Sequence, residues 1–263
     1  MNLLSNLLRG AAFSALALVS MAQTPAPVVA DDSGPSFTIT PAYVSQYIFR
    51  GARIGGAAFT PTIEGSIGNL TVGAWGNIPL KNGLFNQSNI EFDYYGSYGV
   101  EVIKDTLTVT PGFTAYTYPH ATRTEGTYRA TFEPSLALAY TVADITFTPK
   151  VYYDLTLKGA TYEFSTTYTV PLKALDTELD LTATAGTFEW TDVTSSGPRT
   201  KNWGNYYLVG VSAPFKVGKN STLSLGYAYT KGTGNYLKVG NEPQQSTGVA
   251  GHGVVTVSYS LSF

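Results

Sequence analysis

His252-Gly-Val-Val-Thr-Val-Ser-Tyr-Ser-Leu-Ser-Phe263 is the stretch on which the reading of this sequence turns. Val255, Val257, Tyr259, Leu261 and Phe263 alternate with Thr256, Ser258, Ser260 and Ser262. Successive side chains of a strand point to opposite faces, so the segment is a ribbon with one apolar side and one hydroxyl side. An ordinary amphipathic strand reads the same way, and the decision between a soluble and a membrane setting rests on the remainder of the chain.

Working outward, the same alternation fills nearly everything after Ser36. Strands are predicted at about 36–50, 58–67, 70–80, 88–102, 106–120, 127–142, 145–158, 160–173, 178–192, 204–217, 221–232 and 252–263. That is twelve, an even number, and no helical periodicity of useful length interrupts them. Starting from the first strand, every second link is tight (Gly68-Asn69, Lys104-Asp105, Ala143-Asp144, Leu175-Asp176-Thr177, Gly218-Lys219-Asn220), and the intervening links are mostly longer, the longest at 194–204 and 232–251. Periplasmic turns and extracellular loops of a transmembrane barrel alternate in this way, which predicts both termini on the periplasmic side.

The sorting of charge decides the solvent. The apolar phase of the strands collects Phe92, Tyr94, Phe132, Leu136, Leu138, Tyr140, Val151, Tyr153, Phe164, Tyr168, Leu225 and Tyr227. The opposite phase collects Arg50, Glu64, Glu91, Asp93, Arg129, Glu133, Lys150, Asp154, Glu163 and Asp180. A charge facing lipid at mid-bilayer costs on the order of 2–4 kcal/mol in a barrel, which enforces such sorting. A soluble ligand-binding barrel would invert it. The prediction is a single all-β domain: one transmembrane antiparallel up-and-down β-barrel over residues 36–263. The predicted channel lining is Arg50, Glu64, Glu91, Asp93, Tyr118, Arg129, Glu133, Lys150, Asp154, Lys158 and Glu163. Aromatic residues of the apolar phase gather toward strand ends, with Tyr47, Phe49, Phe59, Tyr128, Tyr162, Tyr207 and Tyr229 at the loop side. Phe37, Tyr98, Tyr140, Phe147, Phe215 and Phe263 lie at the turn side, giving two expected interfacial girdles. Eight prolines near or within strands (Pro41, Pro61, Pro79, Pro111, Pro134, Pro149, Pro171, Pro214) predict bulges or early strand ends.

Bulk composition agrees. Charged residues make up 13 % of the 263, the net charge is −2, and Tyr (19), Gly (27) and Phe (13) are abundant, while Cys is absent. Neither nucleic acid nor an anionic surface is indicated as a partner, and no disulfide or thiolate site is available. Residues 1–22 read as a signal peptide: one early positive charge, a short apolar run, then Ser20-Met21-Ala22, with Ala30 as the alternative cleavage point. Residues 23–35 form a flexible lead. The expected location is the outer membrane of a Gram-negative-type bacterium. Val255, Val257, Tyr259, Leu261 and Phe263 then resemble the closing strand that insertion machinery recognises, after periplasmic chaperones have carried the chain.

The region from Pro41 to His120 carries a family resemblance. Tyr43-Val-Ser-Gln-Tyr-Ile-Phe-Arg-Gly51, Pro61-Thr-Ile-Glu-Gly65, Val72-Gly-Ala-Trp-Gly76, Glu91-Phe-Asp-Tyr-Tyr95 and Tyr116-Thr-Tyr-Pro119 are similar to the TorF-type porin family, also called the Gcw-chp conserved hypothetical outer-membrane proteins. The resemblance implies one outer-membrane barrel with a channel role and assigns no substrate and no catalytic residues.

Twelve strands lie between barrels whose side chains fill the interior and wide aqueous porins, so a narrow pore and a plugged barrel are both compatible with the count. The inward charges lean acidic, which suits passage of cations or small polar solutes, or mutual pairing that fills the lumen. A hydrolase built on Glu91, Asp93 and His120 lacks the Asp-x-His pair of outer-membrane aspartyl-type proteases, and His252 falls on the wrong face for a lipase-like site. No enzyme, cofactor or metal site is expected. The alternative to a channel is a closed structural or adhesion barrel acting through its loops. Oligomeric state is not fixed by the sequence.

Three register sums follow from the links, because opposed residues of an antiparallel hairpin have a constant index sum. They place Glu91 opposite Tyr118, Tyr118 opposite Arg129, and Arg129 opposite Lys158 with Glu133 opposite Asp154. Arg129 is expected to turn toward Glu91 or Glu133, and Lys158 or Lys150 toward Asp154 or Glu163.

Overall fold

The computed structural model describes residues 34–80, 90–119, 129–191, 201–234, 238–239, 242–243 and 251–263. The predicted signal peptide, Tyr128, His120 and most of the long links lie outside the described residues.

Twelve antiparallel strands form the wall. They are β1 (Ser36–Thr40 and Ala42–Val44), β2 (Ala58–Phe59 and Thr62–Ile67), β3 (Leu70–Pro79), β4 (Glu91–Tyr98 and Val100–Ile103), β5 (Leu107–Thr117) and β6 (Ala130–Val142). They continue as β7 (Ile145–Asp154), β8 (Gly159–Leu172), β9 (Thr177–Thr191), β10 (Lys201–Gly218), β11 (Ser221–Gly234) and β12 (His252–Ser262). Each pairs with its neighbours in sequence, and β12 returns to pair with β1, with Thr38 opposite Ser262 and Val257 opposite Tyr43. The sheet is closed, so every strand edge is satisfied within the wall, the one way in which strands can cross hydrocarbon. The seam is finished by Phe263, whose N–H donates to the Phe37 carbonyl at 2.9 Å and whose ring lies 6.1 Å from that of Phe37.

The two faces separate as the alternation requires. On β6, Leu136 is 42 % exposed and Ala137 7 %; Phe132, Leu138 and Tyr140 also face out, while Glu133 and Ala139 are buried. On β12, Val255, Val257 and Tyr259 are exposed, Leu261 is half-buried, and Val254, Thr256 and Ser258 are buried. The three register sums hold: Thr117 opposes Phe92, Thr117 opposes Ala130, and Ser135 opposes Tyr152.

The prolines, expected to mark bulges or early strand ends, divide into two groups. Pairing runs through Pro111, Pro134 and Pro149 without a change of register, and the register shifts lie at Leu107/Thr108 and Lys216/Gly218 instead. Each of those three occupies the outward apolar phase, where the ring is well solvated by lipid and the loss is one ladder donor. Pro41 and Pro61 do interrupt β1 and β2. The pairing on either side of them, Thr40 with Thr62 and Tyr43 with Phe59, sets the two rings opposite one another, so neither can donate across that rung. Their carbonyls turn to the other neighbours, Pro41 accepting from Tyr259 N–H at 3.0 Å and Pro61 from Gly76 N–H at 2.9 Å.

One larger departure concerns the first link. The first strand was expected to run to residue 50 with Tyr47 and Phe49 in the outer girdle. It ends at Val44, and Tyr47–Phe49 pairs with Ala52–Gly55 as a separate two-stranded hairpin. Tyr47 and Ile48 are buried and Phe49 half-buried. Among the described members of the girdles, Phe59, Tyr162, Tyr207, Tyr229, Phe37, Tyr98, Tyr140 and Phe263 are exposed on the outer face.

Candidate functional site: a hairpin inside the lumen

The inner hairpin is turned back by Arg50 and Gly51, with φ of 45° and 80°. A two-residue turn with both central residues at positive φ has the twist that joins antiparallel strands, and Gly suits it while Arg carries a strain of about 1 kcal/mol. Gly51 is required for a second reason: a Cβ there would lie 2.5 Å from Cβ of Tyr206 on β10. The hairpin enters from the end of β1 and is fastened to β12 by Ser45 N–H on the Val255 carbonyl (2.9 Å), Val255 N–H on Ser45 Oγ (2.9 Å) and Gln46 Nε2 on the Gly253 carbonyl (2.7 Å). From there it lies across the lumen.

Its contacts are of three kinds. Ile48 packs into an apolar patch of Val44, Ala58, Leu208, Ala228 and Val254, on the wall around the closing seam. Tyr47 packs with Ala42, Trp75 and Tyr95, and Ala52 with Phe188 and Tyr206, against which Phe49 also leans. Finally, charge ties the tip to the far wall. Arg50 donates Nη2 to Glu133 Oε1 at 2.6 Å and Nη1 to Oε2 at 3.1 Å, with the two residues 2 % and 3 % exposed. The Tyr47 hydroxyl donates to Glu91.

The two aromatic grips are built alike. On one side Glu64 of β2, Gly73 of β3 and Tyr95 of β4 lie on one rung, and Tyr95 spans Gly73 to donate its hydroxyl to Glu64 at 3.0 Å. On the other, Glu163 of β8, Gly186 of β9 and Tyr206 of β10 share a rung, and Tyr206 spans Gly186 to reach Glu163 at 2.7 Å. A Cβ on Gly73 or Gly186 would come within 2.4 or 2.3 Å of the tyrosine Cζ, so the absence of a side chain is what lets each ring lie flat. Two residues beyond each glycine stands the aromatic that meets the hairpin, Trp75 against Tyr47 and Phe188 against Phe49, with ring centroids 6.1 and 5.9 Å apart. In a twelve-stranded wall, strands 2–4 and 8–10 lie opposite one another, so the hairpin is held between two equivalent jaws.

The remaining predicted residues fall as follows. Glu133 also accepts from Tyr116 (3.3 Å), and Glu163 from Tyr152 (3.4 Å). Asp93 is buried between Trp75 and Tyr116 on its two neighbouring strands, and its Oδ1 has no hydrogen-bond partner. Lys150 lies opposite Glu163 with Nζ 4.9 Å from the Tyr152 ring. Asp154 accepts from the N–H groups of Thr156 (2.8 Å) and Leu157 (2.7 Å), capping the link between β7 and β8. This resolves the like-charged Glu133–Asp154 rung: one carboxylate turns to the link, the other to Arg50. Arg129 is exposed at the loop-side end of β6, where its carbonyl accepts from Tyr118 N–H at 2.8 Å; Tyr118 is half-buried. Lys158 is exposed in the link itself, at φ 56°. The partner of Glu133 is therefore Arg50, not Arg129, because the hairpin brings a guanidinium to that carboxylate from inside the barrel. The signal that could have found the hairpin is Tyr47-Ile48-Phe49, three large apolar residues in a row, which leave no polar face for a lumen.

A closed, lipid-faced barrel with an inner polar wall and an infolded link defines a class by its fold, the outer-membrane β-barrels. The NanC porin shares the fold, with TM-score 0.50 and 12 % identity over 86 % of this chain and 98 % of that one. An outer-membrane channel from Pseudomonas putida F1 aligns over 93 % of this chain and all of its own, at 12 % identity and TM-score 0.44. No curated protein matches the chain. The chain belongs to the family described as bacterial protein of unknown function (Gcw_chp), whose sequence model matches residues 29–259. That is the family to which the Pro41–His120 segment pointed.

Proposed function

We propose that the protein is an outer-membrane channel for small polar and cationic solutes, and that the lumen hairpin holds it in a closed state. The observation that carries this reading is the charge of the inner wall. Arg50 and Glu133 neutralise one another, which leaves Glu64, Glu91, Asp93, Asp154, Glu163 and Asp180 against Lys150 of the wall and Arg53 of the hairpin. A low-dielectric wall focuses such an excess into the passage and favours cations over anions. Arg129 and Lys158 lie at the loop-side rim. In this reading the loops are extracellular, both termini are periplasmic, residues 1–22 are removed as a signal peptide, and the outward face of β12 ending at Phe263 is what the insertion machinery engages. No catalytic role is included.

The test is the reversal potential of the refolded protein in a planar bilayer under a salt gradient. It should report cation preference, which Glu64→Gln with Glu163→Gln should reduce. A second reading, a permanently sealed barrel acting through its loops, is favoured by the packing of Ile48, Tyr47 and Ala52, all buried. It predicts no conductance from the native chain under any solute gradient, and conductance only from a chain lacking the hairpin.

A further inference from the structure

The tip of the hairpin is held as a ligand would be. Both terminal nitrogens of Arg50 bond to the two oxygens of Glu133, and its guanidinium carbon lies 4.8 Å from the ring centroids of Phe49 and Phe188 and 5.0 Å from that of Tyr152. Of this cage only Phe49 belongs to the hairpin. Glu133, Tyr116, Tyr152 and Phe188 are supplied by β6, β5, β7 and β9, so the receptor is part of the wall and persists when the hairpin moves. A carboxylate met by two parallel N–H groups, with aromatic rings around them, selects a guanidinium over an ammonium: only the former is forked and weakly hydrated. Nε of Arg50 has no hydrogen-bond partner, so the cage reads the forked outer edge, which every alkylguanidinium shares.

We propose that the Glu133 cage is a guanidinium-binding site, filled in the closed state by the chain's own Arg50 and, when the hairpin withdraws, by a guanidinium-bearing solute such as arginine. The tethered side chain competes at an effective concentration on the order of millimolar, as a short linkage gives, so a free solute displaces it only when locally abundant. The strained backbone at Arg50 lowers that threshold. This part of the inference, that the displacing solute is also a cargo, rests on the channel reading; the binding site does not.

The experiment follows the thermal unfolding midpoint of refolded Arg50→Ala, read by heat-modifiable migration, with ethylguanidinium or ethylammonium added. Ethylguanidinium should raise the midpoint saturably by several degrees, ethylammonium should not, and neither should act on the Arg50→Ala/Glu133→Gln double variant. If Arg50→Ala does not refold alone, refolding yield with each cation is the readout: rescue by ethylguanidinium supports the site, and its failure overturns it. Equal response to the two cations, or an undiminished response in the double variant, also overturns it. Bilayer recordings on the same samples separate the two readings: specific binding with no conductance in any variant removes the channel and leaves the cage, whereas conductance without discrimination removes the cage and leaves the channel.

Discussion

The loop-side and turn-side halves of the lumen are lined by the same twelve strands and solve different problems. On the loop side the inward positions are large and interlocked: Trp75, Tyr95, Tyr116, Tyr152, Phe188 and Tyr206 surround the hairpin, and four glutamates each accept from a tyrosine hydroxyl. Toward the turns the inward positions are small and hydroxylated, with rungs such as Thr141–Thr146 (2.9 Å), Thr38–Ser262 (3.1 Å) and Thr40–Ser260 (3.0 Å). Closure of the barrel demands neither pattern, since both leave the outer face and the ladder unchanged. The difference therefore belongs to what occupies the lumen: a built plug above, a hydroxyl-walled vestibule below.

The comparison is broken most directly by removing the plug. Replacing residues 46–56 with a short Gly-Ser link should give the largest rise in single-channel conductance of any change, and an unaltered conductance would mean that the hairpin is not the bottleneck. Glu133→Ala, which leaves a buried guanidinium without its carboxylate, should cost about 3–5 kcal/mol in denaturant-induced unfolding. A smaller effect is expected from Gly73→Ala and Gly186→Ala, each forcing a tyrosine off its neighbour at about 1–3 kcal/mol. Their near equality would sharpen the case for two equivalent jaws, and a cost at only one would dissolve it. Thr110→Ala or Ser212→Ala, in hydroxyl positions without a protein partner, should change stability by less than about 1 kcal/mol.

Much of this was legible in the chain. Strand number, the outward and inward phases and three hairpin registers follow from alternation and turn spacing, because lipid tolerates no charge at positions such as Leu136 or Tyr227 and a period of two transmits that constraint along each strand. The Glu–Gly–Tyr rungs were not legible, since their members are distant in sequence and meet only through register across three strands. The hairpin was missed for a sharper reason. Tyr47 and Phe49 continue the outward phase of Tyr43 without a break, and only Ile48 between them, apolar where the lumen calls for polarity, marks the point at which the strand leaves the wall.

The seam between β1 and β12 also fixes an order of assembly. Each other wall contact joins neighbours in sequence and can form as a local hairpin, whereas Gln46 and Ser45 meet Gly253 and Val255 across separations of 207 and 210 residues. Contacts of such span form late, because the entropy of closing the loop must be met before they return anything. The segment that seats the plug is thus held at the last seam to form. An unfinished sheet would keep its lumen open and its hairpin loose, and docking of the hairpin would report that the cylinder has closed.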